Sequence, residues 1–364
     1  MGKKRPASSG PRARVSCSRT FDLSSRSHHD LAAGFDPIAL DQLPLFVGDA
    51  GAAVADVQQR LTQAGFPVDR RELGRFGTAT HSAVEAFQAE RGLLVTGECD
   101  QPTWHALVES GYQLGDRLLY LRSPMQRGDD VSSLQLGLGA LGFDAGRVDG
   151  IFGPQTEQAL RQFQRNVGLA TDAVCGTEVC DALARLGGRT TSDTVAGVRE
   201  RERLRSSPPG LHDRRIVVGQ HGGLDVLATT VTRLLNDEGA TVAALHHPDP
   251  STHAREANAF DAELYIGLEM TMAVNCRMAY YSTEGFRSSG GATLAALLAQ
   301  DLSPAMGTGS GETAGLRLPV LRETRMPAVV CFLGPAPVVV ERTASVATAI
   351  VEAIRQWLDA PVET

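Results

Sequence analysis

Phe152-Gly153-Pro154-Gln155-Thr156, followed by Phe163-Gln164-Arg165 and Gly168-Leu169, restates a pattern met earlier as Phe76-Gly77-Thr78-Ala79-Thr80, Phe87-Gln88 and Arg91-Gly92-Leu93. From Gly77/Gly153 onward the two copies keep an offset of 76 residues, through Phe87/Phe163, Gly92/Gly168 and Cys99/Cys175. Chance rarely holds Gly, Phe-Gln and Gly-Leu at one fixed offset, so Phe66 to Leu107 and Phe143 to Leu183 form an internal repeat. In the second copy Val131, Leu134 and Leu138 make one apolar helix face, with Asp129 and Asp130 ahead of it as caps. Asp49 stands in the same way ahead of Val54, Val57 and Leu61. Pro154 opens a second helix that turns Ala159, Leu160 and Phe163 to a core, and Gly168-Leu169 closes it. A third helix starts near Thr177 and runs through Val179 and Leu183. Each copy reads as a three-helix unit of about 60 residues. Two such modules ahead of an unrelated segment point to tethering on a repetitive ligand or partner.

At 364 residues the chain has room for about two to three domains. The boundaries expected are a disordered tail over 1–45, modules over 46–110 and 122–185, a linker over 186–212 and a last domain over 213–360. The tail is rich in Ser, Arg, Pro and His without periodicity. It holds no apolar run of secretory length, and no later run is long enough to span a bilayer. The expected compartment is the cytoplasm, with peripheral attachment to the membrane left open. A formal charge of -7, with no basic patch interleaved with aromatics, gives no reason to expect a nucleic-acid partner. The six cysteines are scattered and fit neither a disulfide framework nor a Cys-based zinc site; they read as small buried side chains. Ser and Thr in the tail and at Thr190 to Thr194 are weak candidates for phosphorylation.

Beyond the linker, with one short helix expected around Arg199 to Arg205, strands and helices alternate. Strands are expected at Ile216-Val217-Val218, Thr241 to Leu245, Leu264 to Leu268, Met278 to Tyr281 and Ala328 to Phe332. Helices are expected at Leu227 to Leu235, His253 to Phe260, Ala292 to Leu302 and Ala344 to Leu358. This is an α/β domain with a mostly parallel sheet. In such a sheet, ligand-bearing residues gather at the C-terminal strand ends. His221-Gly222-Gly223 follows the first strand, His246-His247 ends the second and Glu269 ends the third. A hydrated polar rim is the plain reading of these residues, and a new metal site or a hydrolase using His221, His246 and Glu269 is the sharper one.

The second copy resembles the type 1 peptidoglycan-binding domain. The residues that carry the likeness are Gly128-Asp129, Val131, Leu134-Gln135, Leu141-Gly142, Asp149-Gly150-Ile151-Phe152-Gly153, Thr156, Ala159, Phe163-Gln164 and Gly168-Leu169. The first copy is similar through Gly48-Asp49, Val57-Gln58, Leu61, Phe76-Gly77, Phe87-Gln88 and Gly92 to Gly97, but Arg70 to Arg75 replaces the Asp-Gly loop. The resemblance implies binding to the cell wall, and the same scaffold can also serve docking or dimerisation.

The last domain resembles the zinc-dependent N-acetylmuramoyl-L-alanine amidases of the type 3 class. The likeness rests on Ile216-Val217-Val218, His221-Gly222-Gly223, Arg255 to Asn258, Ala262 to Leu268, Leu321 to Val330 and Gly334. With the repeats it spans residues 46 to 360, and the pattern is most like an actinobacterial form with two amino-terminal modules and no leader. Some members of that form look catalytically degraded and are thought to regulate cell-wall precursor synthesis. The class implies zinc held by His, Glu and His, a glutamate as general base, and attack of a zinc-bound water on the lactyl–L-alanine amide. This chain keeps His221, lacks the loop that brings the glutamate ligand, has Glu269 at the second histidine position and Phe332 at the base position. Phenylalanine cannot hold a proton, and one histidine with one carboxylate falls short of three protein ligands. The expectation is a non-catalytic or weakly active amidase-like protein without a cofactor. Its expected partners are a peptidoglycan fragment or precursor, or a cell-wall synthesis protein, in cell-wall biogenesis or its regulation. The alternative is an active zinc amidase of peptidoglycan.

Overall fold

The repeat becomes two helical modules in a computed structural model that describes residues 42–186, 195–272 and 274–361. The tail up to residue 41 and the Thr190 to Thr194 stretch lie outside the described residues. Module one consists of α1 (Ala52–Gln63), α2 (Thr78–Arg91) and α3 (Gln101–Glu109); module two consists of α4 (Asp129–Ala140), α5 (Pro154–Val167) and α6 (Thr177–Leu186). Phe87 and Phe163 are equivalent. Each is fully buried, and each takes a second ring edge-on at 5.6 Å, Phe66 in one module and Phe143 in the other. The bridges Leu45 to Cys99 and Ala50 to Arg75 recur as Leu119 to Cys175 and Arg127 to Ile151. Gly92 and Gly168 both end their helices in the left-handed region, where a side chain would be strained.

The expected aspartate caps are corrected. Glycines, Gly51 and Gly128, hold the N-cap positions of α1 and α4 without a side-chain bond. Asp49 instead accepts the Phe46 N–H at 2.8 Å, and Asp130 is drawn to Arg117 at 2.7 Å. Asp129 and Asp130 still lie in the first turn of α4, where negative charge suits the helix dipole.

The stretch read as a linker carries α7 (Val195–Ser206), whose Leu204 joins the core of the last domain and whose Glu200 accepts the Ser288 hydroxyl at 2.6 Å. The domain then runs β1 (Arg215–Gln220), α8 (Asp225–Asp237), β2 (Thr241–His246), α9 (Pro250–Ala259), β3 (Leu264–Met270), β4 (Asn275–Thr283), β5 (Phe286–Arg287), α10 (Ser289–Met306), β6 (Glu312–Leu316), α11 (Pro319–Glu323), β7 (Ala328–Gly334), α12 (Ala336–Glu341) and α13 (Thr343–Asp359). The strand order is β2-β1-β3-β7-β4-β5, with β6 on β4. β1, β2, β3 and β7 are mutually parallel, β4 is antiparallel to β7, and β6 is parallel to β4. Every residue of β7 is buried, as expected of a central strand covered on both faces.

One face of the sheet packs against α8, α10 and α13 through residues such as Val231, Leu298 and Ile350. The other face carries α9, the short α11 and Ala196 of α7, and the modules complete its cover. Val148 belongs to that second cluster with Tyr265, Tyr281 and Phe286, and Leu94 and Leu136 pack on it. The Tyr281 hydroxyl donates to the Val148 carbonyl at 2.8 Å, and the Arg147 guanidinium lies 4.7 Å from the centre of the Tyr281 ring. Arg322 on α11 donates to both Glu109 oxygens at 3.0 and 2.9 Å and to the Asp149 carbonyl, so one side chain joins both modules to the domain. Among the described residues no helix is long and apolar enough to cross a membrane.

Candidate functional site

The motif residues of the repeats are scaffold. Phe76 and Phe152 are buried with Phe87 and Phe163. Gln88 Oε1 accepts the Thr96 and Gly97 N–H groups while its amide donates to the Glu98 carbonyl; Gln164 accepts from Ala173 and donates to Val174. Buried amides left without such partners would each cost about 1–3 kcal/mol, so these glutamines fix the loop after each second helix. Gly77 and Gly153 start α2 and α5 as backbone N-caps. Asp149 Oδ1 takes the Gln135 amide and the Ile151 N–H, both at 2.8 Å, and burial pushes its carboxyl above the usual range. Gly150 has φ +70°, and a Cβ there would meet Ser132 Oγ at 2.6 Å and the Gly128 carbonyl at 3.0 Å, so the turn inside module two needs glycine.

At the C-terminal edge of the sheet, β1 and β3 bring two of the expected residues together. His221 Nδ1 lies 2.8 Å from Glu269 Oε2, although neither ring nitrogen of His221 has an aligned hydrogen bond. The parallel register sets Glu269 beside Phe332 on β7. Phe332 is buried in the second core cluster with Tyr265 and Val217. His246 and His247 do not join the pair. His246 pairs with Asp225 at 3.3 Å, both well exposed, and the His247 ring accepts the Asp249 N–H at 2.9 Å.

A histidine not among the expected site residues stands under His221. His253, on the buried face of α9 with Ala254 and Ala257, stacks on the His221 ring with centroids 4.5 Å apart. Its Nε2 faces the His247 carbonyl and its Nδ1 the Tyr265 hydroxyl, each at 2.9 Å. A carbonyl only accepts, so Nε2 carries the proton and Nδ1 accepts from Tyr265. Burial, reinforced by His221, lowers its pKa to about 4, and the ring is neutral near pH 7. The signal was available: a lone histidine in helical phase with two buried alanines is a core residue. Asn258, four residues on from Ala254, clamps the end of α11 by donating to Glu323 and accepting from Arg325.

Zinc does not fit this donor set. His253 has spent both nitrogens, His246 and His247 turn elsewhere, and only His221 and Glu269 remain. Among the described residues no group of three or more His, Cys, Asp or Glu is placed to hold a metal ion. A cavity of about 320 Å³ lies at the opposite, N-terminal edge of the sheet between Leu204, Ile216, Met326 and Trp357. Its buried Arg214 is held by Glu263 and by the Pro208 and Gly210 carbonyls.

The chain thus joins an α/β domain with a mostly parallel sheet to two helical modules. The sequence model of the family described as "Putative peptidoglycan binding domain" matches residues 50–107 and 127–183. The N-acetylmuramoyl-L-alanine amidase CwlM of Mycobacterium tuberculosis is 33% identical over 329 residues, covering 79% of this chain and 80% of that protein. The chain therefore belongs to the N-acetylmuramoyl-L-alanine amidase family. The amidase CwlL of Bacillus licheniformis is 31% identical over 160 residues, 38% of this chain and 44% of CwlL. The crystal structure of the Clostridium difficile 630 N-acetylmuramoyl-L-alanine amidase aligns with 41% of this chain and 98% of its own, at 15% identity and a TM-score of 0.34.

Proposed function

We propose that this protein has given up hydrolysis, keeps the amidase fold as a binding body, and acts in cell-wall biogenesis or its regulation. Its binding target would be peptidoglycan, a precursor or a cell-wall synthesis protein, met in the cytoplasm or at the membrane surface, and no cofactor takes part. The observation that carries the reading is Phe332 packed into the core beside Glu269, where the family places its proton-transfer carboxylate. The donor set supports it, because two ligands fall below the three that catalytic zinc sites use. In place of a water-activating centre, His221 stacks on a neutral, fully bonded His253. The modules support the binding half of the proposal through their family match.

Purified full-length protein is expected to hold well under one zinc per chain by elemental analysis and to release no peptide from muropeptides. Stoichiometric zinc together with turnover abolished by His221→Ala would restore the active amidase.

A further inference from the structure

The rim that lost its chemistry has gained an apolar crown. Among the described residues Met272, Val274, Val226 and Val340 are 93%, 74%, 71% and 69% exposed, and only Leu73 of module one, at 71%, matches them. All four sit at one end of the sheet. Val226 follows the β1 loop at the start of α8, Met272 and Val274 lie in the turn from β3 to β4, and Val340 is on α12 after β7. Single exposed apolar side chains are ordinary, whereas their collection on one edge marks an interaction surface. Methionine adds adaptability, because its unbranched thioether repacks against varied shapes.

Two carboxylates stand beside the crown. Asp225 precedes Val226, and Glu269 stands three residues before Met272; their side chains are 62% and 37% exposed. Of the arginines on the flanking elements, Arg277 is paired with Glu312, while Arg255 bonds the Thr252 hydroxyl and Arg342 the Ala305 carbonyl. An apolar anchor flanked by lysine or arginine would satisfy both features. We infer that this rim docks a basic, amphipathic peptide segment of a protein partner, laid over Val226, Met272, Val274 and Val340 with its cations toward Asp225 and Glu269. The inference rests on the reading that the rim no longer holds a catalytic centre.

The test titrates full-length protein against a fluorescent amphipathic Leu–Lys peptide and a Leu–Glu counterpart, followed by anisotropy. The Leu–Lys peptide is expected to bind and the Leu–Glu peptide to fail. Met272→Ser combined with Val274→Ser should weaken binding about tenfold or more, as loss of a central apolar anchor does. Asp225→Asn with Glu269→Gln should weaken it and flatten its salt dependence, while the equally exposed control Leu73→Ser leaves it unchanged. Unchanged binding by the Met272 and Val274 double variant overturns the inference, as does equal binding of both peptides. Crown-dependent recruitment to anionic lipid vesicles, or crown-dependent self-association in sedimentation, would also overturn it by assigning the surface to a membrane or a second copy. Peptide failure without amidase turnover sinks this inference alone, whereas zinc-dependent turnover sinks the functional reading beneath it.

Discussion

Phe163→Ala is expected to destabilise module two by about 3–5 kcal/mol, the cost of removing a buried ring and leaving a cavity. Phe163 is fully buried among Leu134, Leu138, Phe152 and Leu160, with Phe143 edge-on to its ring. Three short helices cannot collapse far enough to refill that space. The duplication supplies an internal control, because Phe87 has the same burial and the same ring contact with Phe66. Phe87→Ala should therefore cost a similar amount, and Trp104, in the same core as Phe87, gives a local fluorescence readout of its unfolding. Urea denaturation of full-length variants, followed by circular dichroism for module two and by fluorescence for module one, measures both. A loss below about 1 kcal/mol at Phe163 would show that the ring is not a core element.

The repeat was legible because its recurring residues do structural work that admits few substitutes. Gln88 and Gln164 each satisfy a loop backbone, and Gly92 and Gly168 each end a helix with positive φ. The parallel strands were legible as apolar runs, as in Ile216-Val217-Val218. β6 was not, because Glu312–Leu316 is mostly exposed on a sheet edge and shows no buried run. The caps misled because Asp49 and Asp130 found partners outside their helices. At the rim, the His221–Glu269 pairing follows from adjacent parallel strands, and sequence order alone placed both at strand ends. That His246 would turn to Asp225, and that His253 would lie beneath His221, depended on side-chain direction across separate elements. The docking of the modules was invisible for a similar reason: Arg322 and Glu109 stand 213 positions apart.

That docking carries the second large effect. Arg322→Met is expected to cost about 3–5 kcal/mol, because it leaves Glu109 buried without its counter-charge. Both side chains are only 10% exposed. Burial works against the Arg322 charge, yet Glu109, Tyr281 and Asp149 together more than offset that and raise its pKa. The same substitution frees the Asp149 carbonyl and loosens the hold of α11 on module two. Adding Glu109→Gln to Arg322→Met should recover part of the loss, since the stranded charge is then gone. Hydrogen exchange should show the effect first around Arg147 to Phe152, where module two meets Tyr281 and Phe286. The modules also cover the sheet: without them its second face would present Tyr281 and Phe286 to water, so residues 184–364 alone should aggregate or bind apolar dyes. Arg322→Met within about 1 kcal/mol of the parent, with unchanged exchange at Arg147 to Phe152, would mean that the modules and the α/β domain do not depend on this ion pair to stay together.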